Sequence, residues 1–404
     1  MKESTLKDLT LNITDGKHGD CEGQDNSGYY FISCKDVHDG QIYYEGARQI
    51  TEKDYIDTHK RTQLEPNDIL ITNSGTIGRM AFIKETPLVY RTTFQKSVAI
   101  VKPNPDLIYP LYLYYQLQNC VAQFINSSNG SAQKNLLLST MRAFKIKYHS
   151  DFSIQHRIAS ILSAYDDLIE NNQKQIKLLE EAAQRLYKEW FVDLRFPNYE
   201  NTPVVDGVPE GWKIGQADSF FEITIGKTPP RAEKQWFLDG MKGTPWLSIS
   251  DMGNAGVFVF STSESLTEDA INKHNMKVVP AGTVFVSFKL TVGRVSIAST
   301  DMCTNEAIAH FHINDDTATA YTYCYLKNFE YDTLGNTSSI SKAVNSKIIK
   351  AMPFVMPTTE IVLLFSEKVS PIIKAVYAKQ SQIMKLKEAR DRLLPKLMSG
   401  ELEV

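Results

Sequence analysis

Two long runs of heptad-spaced apolar residues, one in the middle of the chain and one at its end, constrain the fold more than any other feature. The first run comprises Ile158, Leu162, Tyr165, Ile169, Asn172, Ile176, Leu179, Ala183, Leu186 and Trp190. The second comprises Phe365, Val369, Ile372, Val376, Lys379, Ile383, Leu386, Arg390, Leu393 and Leu397. Alternating intervals of four and three residues over about four heptads are typical of coiled-coil helices. We call these positions the seam.

The two runs match each other position by position, and the polar Asn172 corresponds to the polar Lys379. A polar residue in a seam costs stability but fixes register and partner, so we expect the two helices to pair with each other. Residues 158–190 would span about 48 Å as a helix. That length favours a spacer over a helix that only caps its own domain. Pro371, off the seam, is a candidate kink.

The segments that precede the two helices repeat at an offset of about 210 residues. An internal sequence repeat indicates that the same structural unit occurs more than once in the fold. The corresponding features, in chain order, are Gly16-Lys17 with Gly226-Lys227, Pro66 with Pro280, Gly78-Arg79 with Gly293-Arg294, and Lys134 with Lys342. Identity is low, and the shared order carries the argument. The sequence therefore predicts two related copies of one domain.

Short β-rich runs bounded by turn residues predict strands at 29–33, 97–101, 246–249 and 307–313. Runs rich in Leu and Tyr predict helices at 110–124 and 320–331. We predict an α+β fold with two mixed α/β domains in tandem repeat, separated by two long antiparallel coiled-coil helices. The predicted segments are 1–151 for the first domain, 152–196 for the central helix, 197–358 for the second domain and 359–404 for the C-terminal helix.

Composition bounds the class of protein. A chain of 404 residues is too long to fold around a single hydrophobic core, so more than one domain is expected. No apolar run is long enough to span a membrane, and the first residues lack the apolar core of a signal peptide. Five cysteines, none in a Cys-x-x-Cys pair, favour a reducing cytoplasm. The net charge is −3, but residues 107–150 and 333–359 contain no acid and several lysines. Such local basic stretches favour a nucleic-acid partner.

Motifs for catalysis are not found. The chain has no Gly-x-Gly, no phosphate-binding Gly-x-x-x-x-Gly-Lys-Ser/Thr loop, and no Asn-Pro-Pro-Tyr-like loop of an adenine methyltransferase. Pro105-Asp106 is not followed by the acid-x-Lys pattern of a nuclease. His310-x-His312 places two imidazoles on one strand face, but no third ligand lies near in sequence, so we interpret the pair as structural.

Several stretches resemble the specificity subunit of a type I restriction-modification system. Residues 168–192 are similar to the central helix of that family and its exit, and residues 392–402 to its C-terminal end. Residues 208–212, Val-Pro-Glu-Gly-Trp, resemble the start of a recognition domain, and residues 73–79 and 133–135 resemble loops inside such domains. The first domain lacks the Pro-Glu-Gly-Trp start, and residues 288–293 are a degraded copy of the Ser-Gly-Thr-Ile-Gly loop.

The resemblance implies two target-recognition domains, each recognising half of a split, asymmetric site on double-stranded DNA. It implies two modification subunits, docked on the helices, that methylate adenine with S-adenosylmethionine. It also implies restriction subunits that use ATP and Mg²⁺, whereas this chain would bind no cofactor and no metal itself.

Candidate DNA-binding residues are polar or basic residues of the predicted loops, because such side chains contact base edges and phosphates. In the first copy they are Lys17, Asn73, Ser74, Thr76, Arg79, Gln133 and Lys134. In the second they are Lys227, Arg231, Lys289, Arg294, Lys342 and Asn345. For Arg79 and Arg294 a structural ion pair is equally open. A stand-alone enzyme related to methyltransferases or nucleases, and a coiled-coil adaptor that binds only protein, are the alternatives.

Overall fold

The computed structural model describes residues 1–128, 135–205, 207–313, 316–334 and 344–404. The chain divides into two compact units, Met1–Leu168 with Leu386–Val404, and Ile169–Lys385. Each unit therefore contains part of both long helices, whereas the sequence-based division gave the helices segments of their own. No helix of the described ranges combines the length and apolarity that membrane crossing requires.

The described residues of the first copy form short strands and α-helices. They are β1 Lys2–Thr5, β2 Thr10–Asp15, β3 Tyr30–Ile32, β4 Val37–His38, β5 Gln41–Ile42, α1 Glu52–Thr62, β6 Ile69–Thr72, β7 Met80–Phe82, β8 Thr92–Phe94, β9 Val98–Pro103, α2 Pro110–Asn119, α3 Val121–Asn126, α4 Leu138–Ala143 and β10 Lys145–Tyr148. An antiparallel sheet has the order β2-β9-β6-β7, and β3 pairs parallel with β8. β1 pairs antiparallel with β10 and joins the two ends of the copy.

The second copy follows the same plan. Its elements are β11 Val204–Val205, β12 Val208–Pro209, β13 Lys213–Gln216, β14 Glu222–Ile225, β15 Phe237–Asp239, β16 Thr244–Leu247, α6 Ile249–Asn254, β17 Phe258–Val259, β18 Glu264–Leu266, α7 Glu268–His274, β19 Val284–Ser287, β20 Val295–Ala298, β21 Cys303–Thr304, β22 Ile308–His312, α8 Thr319–Asn328, α9 Ser346–Lys350 and β23 Pro353–Met356. The order β14-β22-β19-β20-β17 repeats that of the first copy, with β17 added. β16 pairs parallel with β21, as β3 does with β8, and β13 pairs with β23, as β1 does with β10.

Corresponding helices have corresponding ends. The Thr51 hydroxyl caps α1 by accepting a hydrogen bond from the Asp54 amide, and Thr267 caps α7 by accepting one from Ala270. Both helices then stop at a left-handed residue, Gln63 in the first copy and Asn275 in the second. The threonine at the start of each helix supplies an acceptor for an amide that has no partner inside the helix. The repeat is therefore preserved where sequence identity is low.

The two long helices are α5, Phe152–Tyr187, continued by a π-helical turn at Lys188–Val192, and α10, Thr359–Ser399. In the first unit, Leu162 of α5 and Leu397 of α10 share one apolar cluster with Tyr112 of α2. Asp166 of α5 pairs with Arg390 of α10 there, at 2.6 Å between carboxylate and guanidinium. Residue numbers rise along one helix as they fall along the other, so the pairing is antiparallel.

In the second unit the same two helices also pair antiparallel. Tyr187 of α5 packs on Phe365 of α10, and the Asn172 amide donates to the Gln382 side chain at 3.2 Å. All twenty seam positions are buried or half-buried, so the largely apolar seam of each helix is covered from its first position to its last. The helix α10 continues across the exposed Pro371.

Candidate DNA interface

Several chain segments of the first copy leave one end of its sheet together. β2 and β6 end beside the start of β9, in the registers Asp15↔Ala99 and Thr72↔Val98, and the parallel strands β3 and β8 end side by side. We call the segments that follow edge 1. It comprises residues 16–17, 33–35, 73–79 and 95–97.

Backbone hydrogen bonds fix the segments of edge 1 to one another. The Lys17 amide donates to the Phe94 carbonyl at 2.8 Å, the Gln95 amide to Ile32 at 2.9 Å, and the Asn73 amide to Ser97 at 3.0 Å. These bonds use backbone groups only, so they leave the side chains of the edge free to vary.

We call this set of backbone hydrogen bonds the frame. The second copy repeats the frame at edge 2, which comprises residues 226–227, 248–250, 288–294 and 305–307. The Lys227 amide donates to Thr304 at 2.9 Å, the Asn305 amide to Leu247 at 3.0 Å, and the Phe288 amide to Ala307 at 2.9 Å. Each bond is the counterpart of one in edge 1. The sequence offset of the repeat is therefore a structural equivalence at both edges.

Each edge includes a seven-residue loop, and in both loops the hydroxyl group of the preceding residue makes the same two hydrogen bonds to the loop backbone. The Thr72 hydroxyl donates to the Thr76 carbonyl and accepts from the Arg79 amide at 2.9 Å. Ser287 does the same, donating to Thr291 at 2.5 Å and accepting from Arg294 at 3.0 Å. Gly78 and Gly293 both have φ of 88°, a backbone conformation that favours glycine. The second loop is thus degraded in sequence but intact in conformation.

Positions 16 and 226 require glycine for a different reason, because another segment of the chain passes too close to leave room for a Cβ. A Cβ at Gly16 would overlap the Phe94 carbonyl, and a Cβ at Gly226 would overlap the Thr304 side chain and the Asn305 carbonyl. The Gly-Lys pairs recognised in the sequence are therefore crossing points of the frame, and each places a lysine directly after the crossing.

The predicted residues of edge 1 differ in availability. Thr76 and Arg79 are exposed, and Arg79 makes no side-chain hydrogen bond or ion pair with a described residue. Lys17 pairs with Asp54 at 3.4 Å, and the half-buried Ser74 forms a backbone bridge with Asn135. Asn73 is only 5% exposed, so little of its side chain is accessible in this structure. Gln133 and Lys134 lie outside the described residues.

Among the predicted residues of edge 2, Lys289 is exposed, with its ammonium 5.6 Å from the Phe288 ring. Lys227 is exposed and donates to the His274 carbonyl at 2.6 Å. Arg294 donates to the Ile249 carbonyl at 2.7 Å, which is a structural role. Arg294 therefore has a contact inside the fold, whereas Arg79 has none with a described residue, and DNA contact stays a prediction for both.

The remaining predicted residues of the second copy belong to other chain segments than the loop. Arg231 makes two hydrogen bonds to Glu264, at 2.7 and 2.9 Å, and lies over the rings of Phe237 and Trp246. Asn345 caps α9 by accepting from the Lys347 and Ile348 amides. Both side chains are therefore already used in the fold. Lys342 lies outside the described residues.

Sequence reasoning missed two lysines of edge 1. Lys35 and Lys96 are exposed and make no side-chain hydrogen bond or ion pair with the part of the chain that the structure describes. A signal for Lys35 was present, because Ser33-x-x-Asp36 repeats as Ser248-x-x-Asp251. In both copies the serine hydroxyl donates to the aspartate at 2.7 Å. Edge 1 therefore carries four cations: Lys17, Lys35, Arg79 and Lys96.

The equivalent of Lys96 in edge 2 is Glu306, which follows Asn305 as Lys96 follows Gln95. Burial would raise the pKa of Glu306, but a hydrogen bond from the Thr228 hydroxyl and the charges of Lys289 and Arg231 hold it below its usual value. The carboxylate is therefore ionised. The two edges share one backbone frame but present different charges and different donors and acceptors.

The pair His310 and His312 is held by threonines. The Thr224 hydroxyl lies 2.9 Å from His310 Nδ1 and 2.8 Å from His312 Nε2, and Thr304 lies 2.7 Å from His310 Nε2. Burial, together with the nearby His312 and Lys277, lowers the pKa of His310 to about 3. Both ring nitrogens of His310 thus have partners inside the fold.

Comparison with known proteins agrees with these features. The family model described as type I restriction modification DNA specificity domain matches residues 1–181 and 209–390. The type I restriction enzyme MjaIX specificity subunit of Methanocaldococcus jannaschii is 29% identical over 393 residues, which cover 93% of this chain and 87% of that protein. The HindI specificity subunit of Haemophilus influenzae is 24% identical over 474 residues, covering 99% of each.

The crystal structure of the S subunit of a type I restriction-modification system from M. genitalium has the same fold. It superposes with a TM-score of 0.57 at 14% identity, covering 98% of this chain and 96% of that one. Two matches to one family model, in tandem, account for the repeat and cover most of the sequence. The chain therefore belongs to the family of type I restriction-modification DNA specificity proteins.

Proposed function

We propose that the chain is the DNA-recognition subunit of a type I restriction-modification complex and performs no chemistry itself. Edge 1 would recognise one half of a bipartite, asymmetric site on double-stranded DNA, and edge 2 the other half. The observation that carries the proposal is the repeated frame. Identical backbone bonds present two different sets of donors, acceptors and charges, which is what two recognition surfaces for two different sequences require.

Exposed cations and hydroxyls suit this role. Lys35, Arg79 and Lys96 can neutralise phosphates, and neutralisation with counterion release supplies much of the affinity of a DNA-binding protein. Thr76 can contact base edges or phosphates from the loop. The low net negative charge of the chain does not oppose binding, because the cations are collected where DNA would lie.

Two modification subunits would dock on the long helices, bringing S-adenosylmethionine, and restriction subunits would bring ATP and Mg²⁺. A shallow groove of about 340 Å³ on α5 supports docking of a protein partner. It is lined by Leu178, Glu181, Ala182, Arg185, Leu186 and Glu189. Leu178 is 63% exposed, so Leu178→Glu should leave the fold intact and reduce co-purification with the modification subunit. The five unpaired cysteines fit a cytoplasmic location.

A cysteine footprint tests the DNA surface. Cys34 lies in edge 1 and is half-buried, whereas the other four cysteines are buried. The duplex would be identified first, by mapping methylated adenines in cells that express the chain with its modification subunit. We expect this duplex to slow alkylation of Cys34 by a maleimide.

The matched variants use a Cys34→Ser background. Ser250→Cys places an exposed thiol in edge 2, and Asp106→Cys places one after the far end of β9. DNA should protect the thiol at 250 and leave the thiol at 106 reactive. Equal protection at all three positions, or protection at none despite binding, would exclude edges 1 and 2 as the DNA surface.

A further inference from the structure

Leu290 is at the tip of the loop of edge 2 and is 92% exposed. The next most exposed large apolar side chain of the described residues, Leu11, is 68% exposed. Leu290 also has φ of 63°, in the left-handed region that L-residues other than glycine, asparagine and aspartate rarely adopt. The chain therefore holds a fully solvated leucine in an unfavourable backbone conformation.

The conformation of the loop does not require leucine at this position. Its counterpart in edge 1 is Gly75, with φ of 76°. Glycine adopts this conformation without steric cost, whereas in other residues the Cβ lies too close to the following carbonyl oxygen. Because the side chain is almost wholly exposed, few contacts inside the chain can compensate for that cost. Contacts with the described residues therefore do not explain the leucine.

The support beneath Leu290 is stiff. Phe288 is fully buried, and its amide is bonded to Ala307 at 2.9 Å. The Ser287 hydroxyl holds the Thr291 carbonyl at 2.5 Å and the Arg294 amide at 3.0 Å. The loop thus has both ends fixed to the sheet and its apolar tip free.

We propose that Leu290 is a wedge that inserts between two stacked base pairs of the half-site bound by edge 2. Apolar side chains such as leucine act in this way in proteins that kink DNA, where the insertion partly unstacks the base step. A stiff support is what such an insertion requires, and the exposed Lys289 next to the tip can hold the adjacent phosphate. This inference rests on the proposed function. It adds that the second half-site is recognised partly through the ease with which one base step opens.

The test combines unstacking with stability. The mapped duplex carries 2-aminopurine, a base whose fluorescence rises on unstacking, at successive positions of the second half-site. With the intact chain and its modification subunit bound, 2-aminopurine fluorescence should rise at one base step other than that of the methylated adenine. The adenine itself is not informative, because the modification subunit can unstack it. Leu290→Gly, which copies edge 1, should bind at raised concentration without brightening that step. Leu290→Phe should retain the signal.

Leu290→Gly should also unfold at the same or higher urea concentration, followed by tryptophan fluorescence, because it removes strain. A lower midpoint would mean that Leu290 is structural and would overturn the inference. So would brightening that persists in Leu290→Gly, or wild-type binding that brightens no step. Loss of affinity when uracil replaces thymine in this half-site would assign Leu290 to a thymine methyl instead. If the wild-type complex binds no duplex, the proposed function fails, not the wedge alone.

Discussion

At the scale of single residues, Lys96 and Glu306 show how one backbone frame carries different surfaces. They follow corresponding residues, Gln95 and Asn305, whose amides bond to the ends of β3 and β16. A lysine there attracts any phosphate, whereas a carboxylate repels phosphates and accepts hydrogen bonds from amino groups such as cytosine N4. We therefore expect affinity to depend more on edge 1 and discrimination more on edge 2.

The first prediction concerns these two charges. Lys96→Gln should weaken binding to all duplexes by roughly threefold to tenfold and lower the slope of log affinity against log salt by about one. Glu306→Gln should strengthen binding to unrelated duplexes, because it removes a repulsion. The measurement is fluorescence anisotropy over a salt series. Lys7→Gln, an exposed position before β2 at the opposite end of the sheet, is the control for net charge. A control with the same effect as Lys96→Gln would contradict a local phosphate contact.

A second prediction follows from His310, whose pKa in the fold is about 3. In the unfolded chain this histidine takes up a proton below about pH 6.5, whereas in the folded chain it stays neutral. Stability is therefore fully present above pH 6.5 and decreases as the pH falls towards 3. At pH 5 the loss from this one group should be about 2 kcal/mol.

Urea unfolding followed by tryptophan fluorescence can measure this loss. All four tryptophans, Trp190, Trp212, Trp236 and Trp246, lie in the unit Ile169–Lys385, so the signal reports that unit alone. The variant His310→Gln lacks the titrating group and should show a smaller difference between pH 7 and pH 5. The same pH dependence in both proteins would count against His310 as the cause.

Side-chain availability was the part of the candidate interface that the sequence could not provide. Asn73 and Thr76 belong to one loop, but the first is buried beneath it and the second is exposed. Lys96 was missed because an isolated lysine before a strand carries no local signal, and only the backbone hydrogen bonds between residues 94–96 and Lys17 place it beside Lys17. The crossing glycines were recognisable because a backbone contact excludes every other residue type at those positions.

At the scale of elements, heptad spacing was sufficient to predict both long helices and that they pair, although the spacing by itself does not set their relative direction. Element ends were less predictable. The strand predicted at 246–249 stops at Leu247, because Ser248 and Asp251 form a capping box that starts α6. The helix predicted at 110–124 is divided at Cys120 into α2 and α3. The parallel pairs β3–β8 and β16–β21 have no turn between their strands, so no local pattern indicates them.

The third prediction tests the joint between α2, α5 and α10 in the first unit. Asp166 accepts a hydrogen bond from the Tyr115 hydroxyl at 2.6 Å and pairs with Arg390 at 2.6 Å. Asp166→Ala leaves a half-buried guanidinium with only Asp391 as partner, which should destabilise this joint by about 1–3 kcal/mol. The neighbouring Asp167 pairs with Lys84 in a more exposed position, so Asp167→Ala should change stability by less than about 0.5 kcal/mol.

Hydrogen exchange of the backbone amides in residues 386–399 measures the effect directly, because these residues form the part of α10 in the first unit. Faster exchange in Asp166→Ala and not in Asp167→Ala is the expected result. Similar exchange in the two variants would show that apolar packing of the seam, and not the ionic joint, holds the helix end.

At the scale of the whole molecule, each edge is made by one copy alone. Edge 1 uses residues 16–97 and edge 2 uses residues 226–307, so the side chains that differ between the edges are separable along the chain. The division into units is less simple, because the first unit also contains Leu386–Val404. A transplanted first copy must therefore keep the surface that packs on α5 and α10.

This separability gives the last prediction. Residues 1–151 would be replaced by the corresponding domain of a relative that retains a tyrosine at the position of Tyr115 and an apolar residue at that of Leu113, so that Asp166 and Leu397 keep their partners. Because every side chain of edge 2 is retained, we expect one half of the methylated site to change and the other half to stay the same. Methylated adenines would be mapped by single-molecule sequencing of the host genome. The control is a chimera with the same domain and Asp166→Ala, which should lower the extent of methylation without altering the sequence. A chimera that methylates DNA with both half-sites changed would show that the two edges do not recognise DNA independently.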